Sequence, residues 1–155
     1  MIYVCDAKAY LRKIELLDAH INNKLNDLCM LRTMVTKITA TITPVAVSGS
    51  GNQDKLGDAV AKIVDLQDEI NREIDKYVDS KREVSAVLEK LQDPDHVKVL
   101  HKRYIEYKPW EQIACEMCCT YRNVCYIHGK ALQEVGALLE DRKEKGADNA
   151  CGSVL

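Results

Sequence analysis

WEQIACEMCCTYRNVCYIHGKAL, residues 110–132, decides how the rest of the chain is read. Taken as a set of ligands it offers Cys115-x2-Cys118 and Cys125-x2-His128, two pairs of the kind that hold tetrahedral zinc. Taken as a fold it offers a two-turn helix with Ile113, Ala114 and Met117 inward, then a tight turn. Thr120 then caps a second helix with Val124, Ile127, Ala131, Leu132, Val135 and Leu139 on one face. The apolar period passes straight through the cysteines. Zinc ribbons and knuckles carry ligands on loops, whereas Cys115, Cys118 and Cys119 stand at i, i+3 and i+4 around one short helix and turn. They read as small hydrophobes, with zinc and a redox thiol pair as the alternatives. The expectation is a helix-turn-helix without a metal.

Upstream, Asp93-Pro94 predicts a helix start, because Asp can cap it and Pro is best tolerated at the first position. The apolar residues Val97, Leu100, Tyr104 and Ile105 carry this helix to Tyr107, where Lys108-Pro109 stops it. Before residue 93 two longer stripes recur near heptad spacing. Leu11, Ile14, Ile21, Leu25, Leu28, Val35 and Ile42 form the first; Leu56, Val60, Ile63, Ile70, Ile74, Tyr77, Val84, Leu88 and Leu91 form the second. Pro44, Gly49 and Gly51 break the pattern between them. The predicted architecture is all-α: a long antiparallel, coiled-coil-like helical hairpin over 5–92 with a flexible connector at 43–54, a helix-turn-helix domain over 93–142, and a disordered tail over 143–155.

Composition agrees with helix throughout. The 155 residues include 7 Gly, 3 Pro and no Phe, and 30% are charged. Net charge is -2, which gives no general attraction to nucleic acid or to an anionic membrane; the stretch 120–132 nevertheless holds Arg122 and Lys130 and no acid. Charges every few residues at the N-terminus argue against a signal peptide, and no apolar run reaches membrane-spanning length. Seven cysteines without a secretory signal read as reduced thiols, so the expected location is cytoplasmic. Paired carboxylates, a nucleophile elbow, a Gly-rich phosphate loop and a metal frame are all missing, and neither enzyme activity nor a cofactor is expected.

The run VLHKRYIEYKPWEQIACEMCCTYRNVCYIHGKAL, residues 99–132, resembles the promoter-reading region 4 of bacterial sigma-70-type factors. The match lies in a leucine-bearing helix with Arg-Tyr, a turn, Trp before Glu-x-Ile-Ala, and a Thr-capped helix ending in Lys-Ala-Leu. One departure is Cys118, at a turn position usually filled by Gly; a left-handed backbone there would cost about 1 kcal/mol. The chain as a whole, with GNQDKLGDAVAKIVDLQDEI at 51–70, is similar to small phage-encoded or prophage-encoded sigma-like regulators. That resemblance implies a sequence-specific transcription regulator acting on phage or prophage promoters with host RNA polymerase.

Helical geometry places Tyr121, Arg122, Cys125 and Tyr126 on the outward face of the recognition helix, with Asn123 at its edge. These five are the candidate base contacts. Lys108, Thr120, His128 and Lys130 are the candidate phosphate contacts, which set register without reading sequence. The expected partners are double-stranded DNA, the polymerase by resemblance, and a second copy of the chain through the hairpin. Two other functions fit the same pattern: a DNA-packaging component of the small-terminase kind, and a helical interaction module that never touches DNA.

Overall fold

A computed structural model describes residues 2–41 and 50–150, and among these every element is helical. In chain order they are α1 (Ile2–Thr41), α2 (Ser50–Leu88), α3 (Pro94–Leu100), which runs on as a π-helical turn over His101–Ile105, α4 (Trp110–Glu116) and α5 (Tyr121–Ala150). Of the expected connector, 50–54 belongs to α2 and 42–49 lies outside the described residues. The tail expected to be disordered from 143 is helical to Ala150, and 151–155 lie outside the described residues. Glu, Lys, Arg and Ala dominate 140–147, all good helix formers, and Lys143 pairs with Glu140 one turn back at 3.8 Å.

The chain divides into two compact units, Leu17–Val78 and Met1–Leu16 with Asp79–Leu155. The division therefore does not follow the boundary expected at 92/93. Its cause is burial: Ala7, Leu11 and Ile14 of α1, and Val84, Val87 and Leu88 of α2, are core residues of the same unit that holds α3, α4 and α5.

Within Leu17–Val78, Ile21, Leu28 and Ile70 are buried. Lys24 reaches Glu69 at 3.3 Å and Glu73 at 3.1 Å, two acids one turn apart on α2. Glu73 holds the Lys24 amine above its ordinary range, and Lys24 in turn lowers the Glu73 carboxyl. Further along, a groove is walled by Asp27 and Leu31 of α1 and by Lys62 and Leu66 of α2. Three stripe residues expected inside are not: Leu25, Val60 and Ile74 are 43%, 45% and 39% exposed. A pair of helices covers only a narrow seam, and a stripe wider than that seam stays partly in water.

In the other unit the core comprises Val99, Leu100, Tyr104, Ile113, Val124, Ala131, Leu132 and Val135, together with the α1 and α2 residues named above. Burying each Val, Leu or Ile contributes roughly 1.5 to 3 kcal/mol. Asp93 caps α3 as its sequence predicts, its Oδ1 accepting from the Asp95 N–H at 2.9 Å, with Pro94 in the first turn. Glu134 of α5 accepts from the Gln92 N–H at 2.8 Å and lies 2.6 Å from His96 Nδ1, which ties the start of α3 to α5.

Candidate nucleic-acid interface

The turn between α4 and α5 is built by backbone hydrogen bonds. The Cys118 N–H donates to the Cys115 carbonyl at 3.1 Å and the Cys119 N–H to the Ala114 carbonyl at 3.0 Å, the pattern of a Schellman C-cap. The residue at its left-handed position is Cys118, with φ 52°. Gly would sit there without strain; the thiol side chain does not, at a cost of about 1 kcal/mol or more. Thr120 then caps α5, its Oγ1 accepting from the Asn123 N–H at 3.2 Å.

The first turns of α5 separate cleanly by face. Tyr121, Arg122, Asn123, Cys125 and Tyr126 are all exposed, Tyr126 to 65% and Tyr121 to 51%, whereas Val124 between them is fully buried. The five candidate base contacts thus share one open surface. Lys130 lies 5.8 Å from the centre of the Tyr126 ring, near enough for a cation–π contact, and is itself exposed. With Thr120 it remains available for a phosphate.

Two of the candidate phosphate contacts, His128 and Lys108, have partners within the protein. His128 lies on the inner side of α5, sharing a 3.0 Å hydrogen bond with the Tyr104 hydroxyl and meeting the Trp110 ring edge-on at 4.7 Å. Burial, then the charges of Lys8 and Arg103, push its pKa down to about 4. It is a neutral structural imidazole and has no charge to offer a phosphate at neutral pH. The signal was present in the sequence: His128 is four residues after Val124 and four before Leu132, on the face of both.

Lys108 is engaged as well. Its amine pairs with Glu106 and lies 2.8 Å from Glu116, and both acids raise its pKa, Glu106 more strongly. Glu116 also pairs with Lys102 and accepts from Gln112 at 3.0 Å; these partners, Lys102 first, hold its carboxyl down to about 2. The network fastens the π-helical turn to α4 and uses the Lys108 charge internally. Beside it, the Arg103 guanidinium stacks 4.6 Å from the Trp110 ring and donates to the Lys108 carbonyl at 2.9 Å. This stack of Arg103, Trp110, His128 and Tyr104 has no sequence signature, because it joins three elements through a π-helical turn that spacing does not announce.

Cys115, Cys118 and Cys125 are exposed free thiols, and Cys119 is a half-buried one. Among the described residues no group of three or more His, Cys, Asp and Glu side chains converges as a metal site would require, and no helix is long and apolar enough to cross a membrane.

No curated protein and no solved structure matches the chain. A family model does, over residues 36–135, from within α1 to the middle of α5. The chain belongs to the family described as Protein of unknown function (DUF1492).

Proposed function

We propose that the chain is a sequence-specific DNA-binding regulator of transcription, in which α4 and α5 form a helix-turn-helix and α5 is the recognition helix. The observation that carries this reading is the division of α5: five side chains suited to base edges are exposed around a fully buried Val124. In the major groove Arg122 can donate two hydrogen bonds to a guanine, and Asn123 can pair with an adenine. Lys130 and Thr120 would flank these as phosphate contacts. The likeness of 99–132 to sigma region 4 extends the proposal to phage or prophage promoters and to host RNA polymerase as partner. On this reading α1 and α2 pair as an antiparallel hairpin.

With few cations free on this face, binding is weak and salt-sensitive. The test is fluorescence anisotropy of labelled duplexes, random and phage-derived, at low and at physiological salt. Binding that weakens steeply with salt and prefers one class of duplex supports the proposal. Absence of binding to every duplex at low salt overturns it in favour of an interaction module.

A further inference from the structure

Away from the exposed face of α5, a cavity of about 110 Å³ is lined by Lys8, Arg12 and Glu15 of α1 and by Arg103, Tyr104 and Trp110. Three cations face one acid. Glu15 is 4.0 Å from Arg12 and partly offsets the positive charge. Lys8 makes no ion pair among the described residues, and Arg103 spends one N–H on the Lys108 carbonyl while its plane lies on Trp110. Lys8 and Arg103 also disfavour a proton on the neighbouring His128, after burial, which is the larger cause. On the α1 side the pocket opens to water through the exposed Lys8 and Arg12, while Arg103 and Trp110 are half-buried and Tyr104 is buried, so an anion seated against Arg103 is screened less than one in bulk water.

The volume bounds the ligand. A single tetrahedral oxyanion fits about 110 Å³, and a nucleoside with its base and sugar does not. Arginine forks match the edges of such an anion, and the lysine amine supplies a point charge. We propose that this pocket is a phosphate site, taking one oxyanion between Lys8, Arg12 and Arg103 against the Trp110 indole. The phosphate is either the free anion or a backbone phosphate of a nucleic acid, and the site does not depend on α5 reading bases.

Trp110 is the chain's single tryptophan, so its emission reports the pocket directly. Inorganic phosphate is titrated into the full chain at constant ionic strength, with sodium chloride and sodium acetate as controls. The expected result is a saturable change in Trp110 emission with phosphate only, weakened at least tenfold in Lys8→Gln and in Arg12→Gln, variants whose melting curves match the parent. A short duplex that competes for the signal assigns the phosphate to nucleic-acid backbone; a duplex that leaves it unchanged assigns the free anion. A response that never saturates, that acetate reproduces, or that survives in both variants overturns the site.

Discussion

At the scale of single residues, His128 sets a pH dependence. Its pKa falls from an ordinary 6.5 unfolded to about 4 folded, chiefly through burial. The folded state therefore binds fewer protons than the unfolded one between these values. The stability this contributes is complete above about pH 6.5, is lost as pH falls through the window, and changes no further below about pH 4. Thermal melts between pH 7.5 and 4 are expected to show that decline, and His128→Gln, which can still bond Tyr104, is expected to flatten it. An unchanged slope in the variant would place the proton elsewhere. Cys118 makes a second residue-scale prediction. Its side chain is exposed and its φ is 52°, so Cys118→Gly loses no burial and relieves strain. Stability should rise by roughly 0.5 to 1 kcal/mol, after allowing for the freer unfolded chain, and a chemical denaturation curve measures it.

At the scale of elements, the starts of α3 and α5 and the turn between α4 and α5 were legible because caps and turns use few residue types. Asp93-Pro94 and Thr120 announced their helices, and Cys118 announced its own strain. The π-helical turn at His101–Ile105 was not legible. It bonds the Glu106 N–H to the His101 carbonyl five residues back, which inserts a residue into a spacing that otherwise reads as ordinary helix. That insertion accompanies a second left-handed residue, Tyr107 with φ 55°, just before Arg103 bonds the Lys108 carbonyl. The partners of His128 and Lys108 were not legible from residue type: His128 meets the Tyr104 hydroxyl across the fold, and Lys108 pairs with Glu106 and Glu116 only because the π-helical turn and α4 bring them together. Within α5 the inner face is sensitive. Val124→Asp would bury an unpaired carboxylate and should remove the cooperative melt of this unit, while Val124→Ile should not; circular dichroism distinguishes them.

At the scale of the whole molecule, the two apolar stripes foretold helices but not how the chain divides. Ala7, Leu11 and Ile14 continue the first stripe without interruption, yet they are core residues of the unit that holds α3 to α5, and nothing in heptad spacing marks Leu16 as an edge. In the unit Leu17–Val78, Val60, Val64, Ile74 and Val78 are all exposed. At about 100° per residue they share one face of α2. Such a face in water favours association with a second copy, and sedimentation velocity should show the mean mass rising with concentration. Val64→Glu with Ile74→Glu should abolish the rise; a parent chain monomeric at every concentration would contradict it.

The central claim is that α5 reads DNA through its exposed face, and Arg122→Ala tests it most directly. Arg122 is exposed, so the variant should melt within about 0.5 kcal/mol of the parent. Anisotropy with a preferred duplex and its single-base variants should then show about 1 to 3 kcal/mol of discrimination lost at one guanine position, with little change elsewhere. A folded Arg122→Ala protein that binds every duplex as the parent does would contradict the account.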